Sequence, residues 1–153
     1  MGLWSLVGRG LRHTRIVPSG SPPLYRLNMV GLLVSGIIQA MLGDAPQSIS
    51  DNTPDYFDWF FIGLQLLGTV AIIGALYGVE NNNAHAAKLR RSLVAEFVGL
   101  VFLVTVVIVN VVAVMFYSQG PPSAPSTWLL IMFSGWILYT RLPEVKRTIK
   151  ELS

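Results

Sequence analysis

Apolar residues along the chain gather into four runs, 27–43, 56–78, 92–117 and 126–142, separated by short polar segments. None of the runs alternates with period two, and all are long for strands, so each predicts a helix. The second would reach roughly 33 Å as a helix, enough for a hydrocarbon core of about 30 Å. The third holds Val, Phe, Leu and Ile with little interruption. The first and fourth fall short of the roughly 20 residues of a typical span. Tyr25, Tyr56, Trp59, Tyr77, Tyr117, Trp128 and Tyr139 sit near run ends, where amphipathic rings meet a membrane interface.

The polar segments divide by charge. All eleven Lys and Arg lie before the first run, between the second and third, and at or after the end of the fourth. The 44–55 segment carries Asp44, Asp51 and Asp55 instead, with Asp58 just beyond, and the 118–126 segment is uncharged. Basic residues stay with loops that are not translocated. The predicted fold is therefore all-α and integral to the membrane, with four transmembrane helices and both termini inside.

Composition agrees: 52% of residues are hydrophobic and only 12% charged, against about a quarter charged in soluble domains. The basic clusters beside the runs, Arg12, Arg15, Lys88, Arg90, Arg91, Lys146, Arg147 and Lys150, predict contact with anionic lipid headgroups rather than nucleic acid.

Three regions follow. Residues 1–26 form a basic amphipathic segment and a Pro/Ser linker, residues 27–142 the membrane domain, and residues 143–153 a basic tail. Leu3, Val7 and Leu11 recur every fourth position, and no acidic residue precedes Asp44. That pattern fits an in-plane anchor helix or, alternatively, a mitochondrial transit peptide. In the tail, Leu142, Val145, Ile149 and Leu152 share a stripe, predicting a second amphipathic helix on the inner surface. Ala84–Arg91 is rich in helix formers and is expected to extend the third helix inward.

Polar side chains within lipid are costly, so each needs a reason. Asn28, Ser35 and Gln39 trace one face of the first helix; Gln65 lies in the second, Glu96 and Asn110 in the third. These faces serve either helix packing, at about 0.6 to 2 kcal/mol per bond, or a hydrated path between subunits. Gly74 and Gly78 form a GxxxG pair expected to set close helix packing. Glu96 lies five residues beyond Arg91, about 7 Å along a helix. It is expected near the headgroups, within reach of Arg91, Ser92 or water. Deeper placement would cost up to roughly 3 kcal/mol and turn it into a proton-linked switch.

Recognisable chemistry is missing from this inventory. The chain has no cysteine, and His13 and His85 lack neighbours with ligand spacing. No phosphate loop or nucleophile elbow occurs, and the Asp spacing fits no calcium loop. The expectation is a protein that is not an enzyme, with no catalytic residue, metal or cofactor.

The compact layout, the NNNAHAAKLRR loop and the closing RLPEVKRTIKELS resemble phage holins and the small membrane proteins encoded by actinobacterial phages. Holins accumulate as oligomers in the bacterial cytoplasmic membrane and convert abruptly into holes for host lysis. The resemblance implies that Asn28, Ser35, Gln39, Gln65, Glu96 and Asn110 become hydrated in that conversion. Gly74 and Gly78 would set the packing. A structural or accessory subunit of a larger complex, in a bacterial or mitochondrial inner membrane, remains an alternative. A small transporter is a third, although the two span pairs show no inverted repeat.

Overall fold

A computed structural model of the chain describes residues 23–78 and 86–151. Six α-helices occupy them: α1 Pro23–Leu42, α2 Gln47–Ser50, α3 Asp55–Gly78, α4 Ala86–Ser118, α5 Pro125–Trp136 and α6 Leu142–Glu151. A π turn, Ile137–Arg141, joins α5 to α6 without a break, so residues 125–151 form one helical arm. Among the described residues there is no strand.

Three of these helices are long and apolar enough to cross a membrane, over Leu24–Leu42, Asp55–Tyr77 and Ala87–Ser118. The 126–142 run is helical as well, but α5 has only 12 residues, about 18 Å of helix. The first span begins four residues earlier than the apolar run, at Pro23, whose missing N–H and fixed φ suit a first turn. It ends at Gly43, whose φ of 80° is open to glycine without a steric penalty. Its N–H closes the helix on the Gln39 carbonyl at 2.9 Å. The third span does extend toward the basic loop, starting at Ala86 and running 33 residues, about 50 Å.

Neighbouring long helices run antiparallel. One end of the bundle carries Arg26, Lys88, Arg90, Arg91 and Arg141, and the other carries Asp44, Asp51, Asp55 and Asp58. The axis of the fold is the α3–α4 pair. Its closest approach is at Gly68 and Gly99: a Cβ on Gly99 would lie 2.7 Å from the Gly68 carbonyl oxygen and 2.6 Å from Ile72 Cγ1. Only a residue without a Cβ lets the two backbones meet. Gly74 does not set this packing, because a Cβ there would meet nothing within 4 Å.

Two apolar clusters fill the bundle. At the basic end Tyr25, Met29, Ile72, Leu93, Leu100 and Ile137 pack together with Val145 of α6. At the acidic end Ala45 and Ile49, from the loop and α2, close over Phe61, Val106 and Ala113. The outer surface is apolar too: Leu67, Val70, Ile108, Phe116, Leu129 and Met132 are all exposed. A water-soluble domain would not present such a belt, but lipid tails solvate it.

The tail, expected to turn its stripe toward the inner membrane surface, packs that stripe on the protein. Leu142 and Ile149 pack, with buried Val145, against the cluster that includes Leu93 and Leu89 of α4. Leu142, Val145 and Ile149 of the stripe thus face the protein itself, and Leu152 lies outside the described residues. Protein can cover the stripe because α4 projects past the span and supplies a matching apolar face.

Candidate functional site

The most concentrated chemistry lies at the basic end, where three helices bring one side chain each into a buried cluster. Tyr25 comes from the first turn of α1, Glu96 from the third turn of α4, and Arg141 from the last position of the π turn. All three are buried, with exposures of 1%, 2% and 1%. Glu96 Oε1 lies 2.6 Å from Arg141 Nη2 and accepts a hydrogen bond from Arg141 Nε at 2.8 Å. Tyr25 donates its hydroxyl to the same oxygen at 3.2 Å. The Arg141 guanidinium also lies over the Tyr25 ring, 5.7 Å from its centroid. Phe133 and Trp136 of α5 flank that ring at 6.3 and 5.6 Å.

A lone charge here would carry a desolvation penalty of several kcal/mol, and opposite charges in good geometry offset it. Arg141 has a second acidic partner on its own arm: Nη1 lies 2.9 Å from Glu144 Oε2, whose side chain is about half exposed. The guanidinium thus bridges a buried carboxylate and one that faces the surface.

The local sequence accounts for the turn that delivers Arg141. Pro143 has no N–H, and in an α-helix its ring would press on the Tyr139 carbonyl. The wider turn, closed by the Leu142 N–H on the Ile137 carbonyl, relieves that clash. It also corrects phase. Buried Ile137, Arg141 and Val145 recur every four residues, and each step overshoots one turn of an ideal helix by about 40°. A wider turn absorbs the drift and keeps all three facing α4.

Glu96 was expected near the headgroups within reach of Arg91, Ser92 or water; it is buried and pairs with Arg141 instead. Arg91 is exposed, and the Ser92 hydroxyl donates to the Ala75 carbonyl at 2.6 Å. Arg141 and Tyr25 escaped the sequence reading because each also suits a membrane interface. The one available signal was that Arg141 falls inside the 126–142 run rather than after it.

The remaining polar residues divide into satisfied and unsatisfied. Gln65 is buried and donates from Nε2 to the Leu32 carbonyl of α1 at 2.9 Å. Buried Thr69 bonds back to the Gln65 carbonyl at 2.8 Å. Gln65 thus ties α3 to α1 inside one chain, while Thr69 is satisfied within α3. Asn28, Ser35, Gln39 and Asn110 are only partly buried. Gln39 Nε2 donates to Ser35 Oγ at 3.1 Å, but Gln39 Oε1 is buried and accepts nothing. The sequence grouped these residues; the fold separates Gln65 and Glu96, which bond to other helices, from Gln39, whose amide oxygen has no donor.

At the acidic end Asp44, Asp51 and Asp55 are exposed, while Asp58 turns inward and accepts from Ser50 Oγ at 2.7 Å. Among the described residues no three His, Cys, Asp or Glu side chains converge on a metal-sized site. Lys88, Arg90, Arg91, Lys146, Arg147 and Lys150 are all exposed at the basic end. Arg12, Arg15, His13 and His85 lie outside the described residues. Comparison with known proteins gives no match, neither to a family model nor to a curated protein nor to a solved structure.

Proposed function

We propose that this chain is a non-enzymatic, holin-like membrane protein that assembles with copies of itself and permeabilises a bacterial cytoplasmic membrane. In this reading the arm supplies a fourth, short span and both termini face the cytoplasm. Supporting that topology is the separation of charge, with exposed Lys and Arg at one end and exposed Asp at the other. The basic end then meets anionic headgroups, each basic residue contributing about 1 kcal/mol.

The observation that carries the proposal is Gln39. Its amide oxygen is buried without a donor, on a helix face that also presents Asn28 and Ser35. A buried polar atom left unpaired costs about 1 to 3 kcal/mol, so this face is incomplete in the single chain. A second copy supplies amide partners while the protein is dormant, and water supplies them once the assembly opens. The interior of one chain is packed with side chains, so a passage forms only between copies. Inducible expression in a bacterial host tests this, following membrane potential and culture density with an energy poison added partway. A sudden loss of potential, advanced by the poison, is expected. Gln39→Leu with Asn110→Leu is expected to delay or abolish it, and unchanged timing in that double variant removes the polar face from the mechanism.

The same face supports a second reading, an accessory subunit whose partner is another membrane protein. That reading expects continued growth with the chain in the membrane and one stable companion on purification.

A further inference from the structure

We propose that the Tyr25–Glu96–Arg141 cluster is a clasp holding the arm, residues 125–151, against α4, and that its opening releases the arm. Apolar contact holds the span portion of the arm only at its basic end, where Phe133 and Trp136 pack partly buried beside Ile137. The arm's buried positions before Arg141 are Thr127, Ser134 and Ile137, two of them polar, and Ser134 Oγ has no hydrogen-bond partner. Leu129, Met132 and Tyr139 are exposed at 70%, 72% and 88%. Lipid tails solvate such side chains as well as protein does, so apolar burial gives this segment little reason to stay. The buried charge pair is the specific attachment.

The clasp is built to have two states. On opening, neither charge is abandoned: Arg141 keeps Glu144, on its own arm, and Glu96 keeps the Tyr25 hydroxyl. Glu144 is already half exposed, so Arg141 can move toward the surface along a partner it holds in the closed state. The π turn that carries Arg141 is an irregularity of the kind frequent at functional sites, and it interrupts the regular α-helical ladder between α5 and α6. Releasing the arm uncovers the face of α4 around Leu93 and Leu100 for another chain. As the gate of permeabilisation, the clasp rests on the function proposed above. As a structural device, it does not.

The chain lacks cysteine, so a single introduced thiol reports on the arm. Val145→Cys places it at a buried position, and Lys146→Cys at an exposed one as a control. Membranes opened by sonication are treated with a charged maleimide. With the clasp intact, Cys at 145 is expected to be protected and Cys at 146 to react. Glu96→Gln and Arg141→Gln should each raise labelling at 145 at least about tenfold, because the group left behind is incompletely compensated in the closed state and opening relieves it. The exchange Glu96→Arg with Arg141→Glu should restore part of the protection. Equal labelling in all variants, with the protein still in the membrane fraction, overturns the clasp, as does an exchange no better protected than the single changes. Glu96→Met with Arg141→Met, an apolar pair that needs no charge partner, is expected to keep the thiol protected; open labelling there also counts against the clasp. Timing of potential loss is read in parallel on chains without the thiol. The single changes should advance it and the Met pair delay it, and unchanged timing with raised labelling removes the gating role. If the wild-type chain never permeabilises, the proposed function fails, while the labelling still decides the clasp.

Discussion

Glu96 and Arg141 are 45 residues apart in the chain, yet their side chains meet at 2.6 Å with neither more than 3% exposed. Removing one partner and removing both have opposite expected consequences. Glu96→Ala leaves the buried guanidinium with only the half-exposed Glu144 and is expected to destabilise the fold by up to about 3 to 5 kcal/mol. Glu96→Met with Arg141→Met leaves no charge to strand and should fall near wild type. Denaturant titration in detergent micelles, followed by circular dichroism, compares the two; equal losses would mean the pair itself adds stability beyond charge compensation.

Two glycines make a matched test of the α3–α4 crossing. Gly99→Ala places a methyl against a backbone carbonyl that cannot turn aside, and overpacking of this kind costs about 1 to 3 kcal/mol. Gly74→Ala meets nothing and gains helix propensity, up to about 1 kcal/mol. The expected order of melting temperatures is Gly74→Ala at or above wild type and Gly99→Ala below it. If Gly74→Ala disrupts only the oligomer, seen by crosslinking at unchanged monomer stability, then Gly74 packs between chains.

Gln65 and Gln39 look alike in sequence but should respond differently. Gln65→Leu removes a bond to the Leu32 carbonyl and is expected to cost about 0.6 to 2 kcal/mol of stability without changing the size of the assembly. Gln39→Leu deletes an acceptor that has no partner within the chain, so stability should hold while the oligomer shifts. Analytical ultracentrifugation in detergent, set beside the unfolding curves, separates the two outcomes.

Pro143→Ala tests the π turn. The new N–H can bond the Tyr139 carbonyl and favour an ordinary α-turn. That rotates Arg141 relative to Val145, so the charge pair and the tail contact can no longer both be kept. Faster hydrogen exchange in α6, with α3 and α4 unchanged, is the expected result. Unaltered exchange would place the cause of the π turn in the Glu96 pair rather than in the proline.

Ser50 holds the buried Asp58 carboxylate at the acidic end, through a bond of 2.7 Å. Ser50→Ala should cost about 1 to 3 kcal/mol by leaving a buried acceptor without its donor. Proteolysis of the 43–54 loop in reconstituted vesicles reads that loss directly.

The helical class, the two long central spans and the division of charge between the two ends are legible in the amino-acid order alone. Each follows from composition within one segment: apolar length sets the spans, and the placement of Lys, Arg and Asp sets the ends. The extension of α4 toward the basic loop was legible for the same reason, since Ala84–Arg91 favours helix locally, and the described helix begins at Ala86. The first run reads short and gains its length from residues 23–26, and the fourth, expected to span, is a helix of only 12 residues before the π turn. Which partners the polar residues take is set by how the helices pack on one another. Glu96 pairs with Arg141 rather than nearby Arg91 because the rotation of α4 turns position 96 toward the arm and position 91 outward. Gly68 and Gly99 carry the close crossing instead of Gly74 because contact depends on where two helices meet, which a spacing within one helix does not encode. The tail stripe shows the boundary most plainly. Its periodicity was fixed by the sequence, but whether it faced lipid or α4 depended on how far another helix projected.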